Sequence, residues 1–369
     1  MRAVSRIATP LAARGGGGDV IRPVGGYTYG LLFEDARAWH PEAAVRRVRF
    51  ASLIVTYRCN ARCRMCHTWK HPSEPAEEIG PEVFARLPYM DTVNITGGEP
   101  FLRDDLEEIV RVVQARSRRI VISSNGYLTE RIVRLFERFS RLGIRVSLEG
   151  LPRSNDQLRG MQDGFDHGLR TLLRLKSMGI KDIGFGITVS DANAGDLVDL
   201  YHLSRLMGVE FASAALHNSF YFHKMDNTIS KPEFVAECFD RFIEELLRSP
   251  RPKDWFRAYF NHGLVNYIQG GQRLLPCRMG RDAFFLDPFG RVLPCNVLDE
   301  PMGDLRREDF ETIWTSPRAE EVRALAGHCG KDCWMMGSVA EPMKKNLLAV
   351  SRWILRNKFL PRRRETPPQ

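Results

Sequence analysis

The chain has 369 residues, of which 43% are hydrophobic and 27% charged, and its formal net charge is +9. This length suits one large domain with a smaller second one. No stretch approaches the roughly 18 consecutive apolar residues of a membrane-spanning helix, and residues 1–20 lack the apolar core of a signal peptide. Eight cysteines without an export signal indicate a reducing cytoplasm. We therefore expect a cytoplasmic protein whose thiols serve metal centres and not disulfides.

Apolar runs typical of strands alternate with amphipathic segments typical of helices. The predicted strands cover 50–57, 92–96, 120–124, 144–149, 183–189 and 209–215. The predicted helices between them cover 103–116, 129–141, 165–178 and 195–207. In the first of these helices, Leu106, Ile109 and Val110 recur at the spacing of an apolar stripe that packs against a sheet. Alternation of this kind predicts a parallel α/β sheet.

Three cysteines follow the first predicted strand at close spacing. Cys59, Cys63 and Cys66 form a C-x3-C-x2-C array, and three thiolates leave one iron of a cubane cluster open to another ligand. Thiolates also suit zinc, with His67 as a fourth ligand, so a zinc site is the alternative. The sequence Gly-Gly-Glu-Pro at 97–100, after the second predicted strand, has no role in a zinc site and favours the cluster.

Together the cysteine array and the Gly-Gly-Glu-Pro sequence resemble the motifs of the radical S-adenosylmethionine (SAM) enzymes. The resemblance implies a partial (β/α)6 TIM-like barrel with its site at the C-terminal ends of the strands. It implies a [4Fe-4S] cluster on Cys59, Cys63 and Cys66 that binds SAM at its open iron. It further implies reductive cleavage of SAM to a 5′-deoxyadenosyl radical, with an external electron donor such as flavodoxin or ferredoxin.

The same resemblance places SAM contacts at the ends of the predicted strands. Glu99 is expected to bind the SAM amino group, because a carboxylate accepts charge-assisted hydrogen bonds and the preceding glycines allow close backbone approach. Strand ends also carry short polar residues for turn chemistry alone, which is the alternative. The expected contacts are Met65, Gly97, Gly98, Glu99, Pro100, Ser123, Ser124, Asn125, Ser147, Glu149 and Arg159. No residue is assigned to the catalytic step itself.

Two residues of the fourth predicted strand region have further alternatives. The segment 146–165 resembles that of a radical SAM subgroup, but Glu149 stands where the subgroup usually has Asp. The longer side chain shifts the carboxylate by about one methylene. Arg159 either contacts the SAM carboxylate or pairs with a surface acid. Met65 stands where the family often has an aromatic residue near the adenine, and methionine is adaptable enough to fill that space.

Four more cysteines follow the predicted barrel. Cys277 and Cys295 flank a predicted hairpin over 283–294, and Cys329 and Cys333 lie close together further on. This spacing resembles the SPASM and twitch extensions of radical SAM enzymes, and it implies one auxiliary [4Fe-4S] cluster with four cysteine ligands. A four-cysteine zinc ribbon is the alternative. The remaining cysteine, Cys238, is expected to be a buried core thiol.

These patterns predict four regions along the chain. They are an N-terminal tail over 1–48, the barrel over 49–250, a SPASM- or twitch-like domain over 251–340, and a basic amphipathic helix with its tail over 341–369. Residues 343–364 include eight basic residues and no acidic one. The helix either packs on its own protein or lies on an anionic membrane surface, and nucleic acid is the weaker partner.

The substrate is the least determined prediction. About forty-nine residues precede the first predicted strand, too few for the leader-binding module of many peptide-modifying relatives. We therefore expect a small-molecule or carbohydrate substrate, including a lipid-linked one, which is oxidised or otherwise modified. His217, Asn218, Tyr221 and His223 either bind substrate hydroxyls at the barrel mouth or form a solvent loop. The alternatives are a peptide-modifying maturase and a non-catalytic iron–sulfur or zinc protein.

Overall fold

Strands and helices alternate along residues 48–359, the part of the chain that this computed structural model describes. The predicted tail over 1–47 and residues 360–369 of the predicted C-terminal segment lie outside the described residues. The strands are β1 (Phe50–Ile54), β2 (Thr92–Thr96), β3 (Ile120–Ser124), β4 (Gly143–Ser147), β5 (Ile183–Val189), β6 (Glu210–Ala215), β7 (Ala283–Leu286), β8 (Arg291–Leu293) and β9 (Gly303–Asp304). The α-helices are α1 (Pro81–Phe84), α2 (Leu106–Gln114), α3 (Thr129–Arg138), α4 (Pro152–Arg159), α5 (Gly164–Ser177), α6 (Leu197–Met207), α7 (Pro232–Arg248), α8 (Pro252–Ile268), α9 (Phe310–Thr315), α10 (Pro317–Gly327), α11 (Met336–Lys345) and α12 (Leu347–Phe359).

All of the described strands join one open sheet in the order β6-β5-β4-β3-β2-β1-β7-β8-β9. Neighbours from β6 to β7 are parallel, and only the β7–β8 and β8–β9 pairs are antiparallel. The six parallel strands with helices between them confirm the predicted partial (β/α)6 arrangement. In α2 the predicted stripe is buried, as Leu106, Ile109, Val110 and Val113 are at most 4% exposed. Each such side chain contributes about 1.5 to 3 kcal/mol on burial.

The predicted hairpin extends the barrel sheet. Strand β7 pairs with β1 in parallel, with Phe50 opposite Ala283 and Leu53 opposite Leu286. The edge of β1 that β2 does not occupy is thereby paired, so its backbone groups are satisfied. The hairpin between Cys277 and Cys295 is therefore paired, through β7, with the strand β1 that precedes Cys59.

Two predicted helices begin later in the structure than the sequence pattern indicated. Before α2, the segment Pro100–Leu102 is a short 3-10 helix and Arg103 is extended. The Arg103 guanidinium is buried and donates to the carbonyls of Val55 at 2.7 Å and Ile79 at 3.0 Å. Before α6, Ala194–Asp196 is also a 3-10 turn. Residues that the sequence pattern assigned to the first turns of α2 and α6 therefore lie before these helices.

The basic C-terminal segment forms two helices, α11 and α12, with the break at Asn346. Val350 and Ile354 on α12 are buried against α8 and α7, and Trp353 stacks on His262 with 4.8 Å between ring centroids. Within the described residues, α12 therefore packs on its own protein, as one of the two alternatives predicted. No helix within 48–359 combines the length and apolar character needed to cross a bilayer.

Candidate active site

The loop after β1 places three thiols near one another and near one arginine. Burial raises the pKa of Cys59 to about 12 and also raises the pKa values of Cys63 and Cys66. Cys63 repels the thiolate of Cys59, and Cys66 repels that of Cys63, whereas Arg159 favours the thiolate form of all three. Because metal binding requires thiolates, Arg159 supplies the positive charge that a three-thiolate donor set needs in a buried site.

The end of α4 supports this loop. The backbone N–H of Arg62 donates to the carbonyl of Arg159 at 2.9 Å, and that of Arg64 donates to the carbonyl of Leu158 at 2.8 Å. Gly160 follows in the left-handed conformation, with φ of 58°. A Cβ at Gly160 would lie 2.6 Å from the carbonyl oxygen of Arg62. The Arg-Gly pair therefore shapes the cysteine loop through the backbone as well as through the arginine charge.

A segment after β6 holds the same loop from another side. The N–H of His67 donates to the carbonyl of Phe222 at 2.7 Å, and the Thr68 hydroxyl donates to the carbonyl of Tyr221 at 3.2 Å. The half-buried Met65 offers its carbonyl to the Asn227 amide at 3.0 Å. Asn227 was not among the residues predicted from the sequence, because nothing in its neighbourhood indicates a contact 162 residues away.

Most polar side chains predicted for the barrel mouth are occupied in loop structure. The Asn218 amide donates to the carbonyl of Asn227 at 3.0 Å, and its oxygen accepts from the Asn227 N–H at 2.8 Å. His223 stacks on His71 with 4.7 Å between centroids. His217 has Nδ1 3.1 Å from the carbonyl of Ala215, while its Nε2 is buried without a partner among residues 48–359. Of these groups, His217 Nε2 is left with unused hydrogen-bonding capacity.

The Gly-Gly-Glu-Pro turn is pinned to the end of the first strand region. The N–H of Gly98 donates to the carbonyl of Thr56, and the N–H of Glu99 donates to the carbonyl of Arg58, both at 2.8 Å. A Cβ at Gly97 would lie 2.5 Å from the Thr56 carbonyl oxygen, and one at Gly98 would lie 2.2 Å from that of Arg58. Glycine is therefore required at both positions by backbone approach. The following Pro100 begins the 3-10 turn, and Tyr221 donates to the carbonyl of Gly97.

Glu99 lies fully buried between the ends of β2 and β3. Its carboxylate accepts hydrogen bonds from Asn125 N–H at 2.7 Å, the Ser124 hydroxyl at 2.9 Å and Phe101 N–H at 3.2 Å. Burial raises the pKa of Glu99, and these three donors oppose that shift. A carboxylate has about four acceptor positions, so one position remains for a further donor.

The other predicted strand-end residues differ in their contacts. The Ser123 hydroxyl donates to Asn94 Oδ1 at 2.9 Å, and the Asn125 amide donates to Asn60 Oδ1 at 2.7 Å. Asn60, the residue after Cys59, was missed by sequence analysis although its position beside the array is a usable signal. Ser147 is the last residue of β4 and is half-buried. Within residues 48–359, its side chain takes no part in the hydrogen bonds of Ser123 and Asn125.

Glu149 and Arg159 form a buried ion pair with 3.1 Å between Oε1 and Nη1. The second carboxylate oxygen accepts from Thr188 N–H at 2.6 Å. Burial raises the pKa of Glu149, while Arg159 and the Thr188 N–H favour its charged form. The partner of Arg159 is thus the buried Glu149. The alternative that Arg159 pairs with a surface acid is therefore wrong. Arg159 Nε is buried and has no partner in the described part of the chain.

The four C-terminal cysteines also interact with one another. Burial raises the pKa of Cys333 to about 12, and repulsion from Cys295, Cys277 and Cys329 adds to the shift. Arg273 opposes it and donates to the carbonyl of Cys333. Over the described ranges, no three His, Cys, Asp or Glu side chains are close enough to hold a single metal ion. Arg273 was missed because its link to Cys333 spans 60 residues.

Comparison with known proteins identifies the class. The model of the radical SAM superfamily matches residues 53–203, and that of the SPASM iron-sulfur cluster-binding domain matches residues 277–334. The chain is a radical SAM enzyme. More specifically, it belongs to the radical SAM enzymes with a C-terminal SPASM domain, so its cofactors are a [4Fe-4S] cluster, SAM and an auxiliary iron–sulfur cluster. The zinc and non-catalytic alternatives are therefore wrong.

The names of the relatives indicate different substrates. The AdoMet-dependent heme synthase of Methanosarcina barkeri is 24% identical over 321 residues, which cover 76% of this chain and 87% of that protein. The sporulation killing factor maturation protein SkfB of Bacillus subtilis is 23% identical over 286 residues, covering 75% and 67%. The solved structure of native anSMEcpe with bound AdoMet has a TM-score of 0.56 at 16% identity, covering 84% of this chain and 100% of that one. At 16% identity, this structural similarity shows that the two proteins share a fold.

Proposed function

We propose that the two cysteine groups hold the two clusters. The SAM-binding cluster is assigned to Cys59, Cys63 and Cys66, and the auxiliary cluster to Cys277, Cys295, Cys329 and Cys333. The observation that carries the first assignment is the position of the cysteine loop, which bonds to the carbonyl of Arg159 through Arg62 N–H and lies next to the Gly-Gly-Glu-Pro turn, where Glu99 N–H bonds to the carbonyl of Arg58. The second assignment is supported by the match of the SPASM model to residues 277–334 and by the repulsion that the Cys295 and Cys333 thiolates experience from neighbouring cysteines of this group.

The proposed SAM contacts use hydrogen-bonding capacity that the described part of the chain leaves unused. Glu99 has one acceptor position available for the SAM amino group. Arg159 Nε, a buried donor with no partner among residues 48–359, is suited to the SAM carboxylate. Met65, in the cysteine loop, is assigned to the contact with the adenine. The cluster and SAM held by these residues would supply the radical chemistry for removing hydrogen from the substrate, with the reducing electron coming from an external donor. The other proposed contacts are Gly97, Gly98, Pro100, Ser123, Ser124, Asn125, Ser147 and Glu149.

Aromatic packing beside the cysteine loop helps to exclude water. Tyr57, Tyr221 and Phe285 are buried together, and the rings of Phe222 and Phe289 pack against this group. The group joins the end of β1, the segment after β6 and the C-terminal hairpin. A radical reaction needs a site in which competing reactions with solvent are suppressed. We therefore assign to these rings the exclusion of water from the site beside the cysteine loop.

The proposed reaction is oxidation, or another modification, of a small molecule or carbohydrate, including a lipid-linked one. The heme synthases and the pre-heme d1 synthase of Dinoroseobacter shibae among the relatives support a small-molecule substrate. SkfB and the subtilosin biosynthesis protein AlbA of Bacillus subtilis favour a peptide as the second candidate. An external donor such as flavodoxin or ferredoxin in the cytoplasm would supply the electron for SAM cleavage.

The class of reaction is tested by anaerobic reconstitution, reduction and addition of SAM. We expect 5′-deoxyadenosine and methionine by mass spectrometry, and a Cys238→Ala variant should form them at the same rate because Cys238 is a buried thiol on α7. Absence of both products from protein with a full iron content would contradict the proposal.

The substrate class is tested with extracts of cells grown in heavy water. Polar small-molecule, lipid and peptide fractions are supplied separately, and deuterium in 5′-deoxyadenosine is measured. Transfer from the small-molecule or lipid fraction supports the first candidate, whereas transfer from the peptide fraction alone replaces it with the second.

A further inference from the structure

Helix α12 has an outer face that its packing leaves uncovered. Leu348, Arg352, Leu355, Arg356 and Phe359 lie on this outer face, because they are spaced by three, four or seven residues along the helix. Leu348 is 88% exposed, Leu355 57% and Phe359 62%. Exposed leucine and phenylalanine at this spacing form an apolar stripe in which arginines are interleaved.

We propose that the outer face of α12 binds anionic lipid bilayers. Such binding would determine where the enzyme is located and is independent of the reaction proposed for its site. A helix with leucine, phenylalanine and arginine on one exposed face suits the boundary between headgroups and acyl chains, where the apolar side chains enter and the cations stay at the phosphates.

The opposite face of α12 explains why the stripe is not needed for folding. Val350 and Ile354 are buried, and Trp353 packs against Tyr259 and His262 of α8. These side chains lie on the side of the helix opposite Leu348 and Leu355. Substitutions on the outer face should therefore leave the packing of α12 intact, and this separates a lipid-binding role from a structural one.

The charges on the outer face favour an anionic surface. Arg352 and Arg356 are exposed and form no ion pair within residues 48–359, whereas Lys344 nearby pairs with Glu341 at 2.6 Å. The sequence from 342 to 359 has no acidic residue. Two arginines that form no ion pair in the described part of the chain, beside three exposed apolar side chains, are complementary to acidic lipid headgroups. A nucleic acid would use the arginines but not the apolar stripe.

The test is flotation of the full-length protein with vesicles of phosphatidylcholine alone or mixed with phosphatidylglycerol. Wild-type protein should float with the mixed vesicles and much less with phosphatidylcholine. Arg352→Gln/Arg356→Gln should weaken binding by roughly fivefold for each arginine, about 25-fold together, with a smaller difference in high salt. Leu348→Glu/Leu355→Glu should abolish binding in both salt conditions.

Matched controls are available on distant helices. Leu206→Glu on α6 changes a leucine that is 86% exposed, and Arg134→Gln/Arg170→Gln removes two exposed arginines from α3 and α5. Both should bind vesicles like wild type, and every variant should keep its iron content. The proposal is overturned if wild type stays unbound, if the outer-face variants bind equally well, or if light scattering shows that they abolish a dimer in place of lipid binding.

Discussion

Arg159 Nη1 and Glu149 Oε1 lie 3.1 Å apart, in an ion pair that is buried beside the cysteine loop. The pair links the end of β4 to the end of α4, whose carbonyls hold the loop. Glu149 also accepts from Thr188 N–H on β5. Because little water reaches the pair, loss of either charge leaves the other poorly compensated.

Replacement of Glu149 by Gln should destabilise the protein strongly, since it removes the ion-pair partner of the buried Arg159 cation. We expect the free energy of unfolding to fall by about 3 to 5 kcal/mol. The double variant Glu149→Gln/Arg159→Met should recover a large part of this loss. Urea unfolding measures both effects. Glu130→Gln, in an exposed pair with Arg174, is the control and should change stability by less than about 1 kcal/mol. Additive effects of the two buried substitutions would contradict the coupling.

The two cysteine groups should be separable. In Cys59→Ala/Cys63→Ala/Cys66→Ala, iron should fall from about eight to about four atoms per chain, and SAM cleavage should cease. Iron and sulfide assays with electron paramagnetic resonance of the remaining cluster provide the measurement. Cys238→Ala should retain the full iron content. Unchanged iron in the triple variant would refute the assignment of those ligands.

Glu99→Gln is expected to weaken SAM binding while both clusters remain. The amide keeps one acceptor oxygen for the strand-end donors but loses the negative charge that favours an ammonium group. A charge-assisted hydrogen bond is worth about 1.5 to 3 kcal/mol, or roughly ten- to a hundredfold in affinity. Equilibrium dialysis on reconstituted protein measures the change, with Glu108→Gln on the exposed side of α2 as control. Equal affinity in both variants would remove Glu99 from the SAM site.

Gly160→Ala should impair cluster assembly beyond its effect on stability. The added Cβ would lie 2.6 Å from the Arg62 carbonyl oxygen in the cysteine loop. Gly179→Ala is a matched control, since Gly179 also has positive φ but a methyl group added there would have no neighbour within 4 Å. Both variants incur the left-handed penalty of about 1 to 2 kcal/mol. Only Gly160→Ala should lose iron on reconstitution, and equal iron in the two would contradict the loop contact.

Glu210 at the start of β6 should make stability depend on pH. Burial acts to raise its pKa, but Arg257 and Lys253 lower it to about 2 from an ordinary 4.5. Because the folded-state pKa is the lower one, this stabilisation is present above about pH 4.5 and is lost as the pH falls towards 2. Glu210→Gln should therefore destabilise the protein by about 2 kcal/mol at pH 7, after allowance for partial exposure. The difference from wild type should shrink in acid.

Urea unfolding at pH 7 and at several acidic pH values measures this dependence. Glu233→Gln, on the exposed side of α7, should track wild type throughout. A constant difference between Glu210→Gln and wild type at every pH would show that the carboxylate charge is not the source of the stabilisation.

Local patterns in the sequence determined the class of the enzyme and most of its parallel sheet. The strands over 92–96, 120–124 and 183–189 have the predicted bounds. An apolar run that is bounded by turn residues indicates a buried strand and also where it begins and ends. The cysteine spacings and the Gly-Gly-Glu-Pro sequence identified the radical SAM and SPASM class, because ligands carried on one loop or hairpin have positions set by a few neighbouring residues.

The tertiary structure alone decided which distant groups meet. It pairs β7 with β1, joins Arg159 to Glu149, and brings Asn227 to the carbonyl of Met65. Sequence periodicity cannot give these pairings, because they depend on which strand edge is left unpaired and on which buried charge lacks a partner. The same reason applies to α12: its sequence is basic and apolar on every side, and only packing against α8 determined which face is covered and which is exposed.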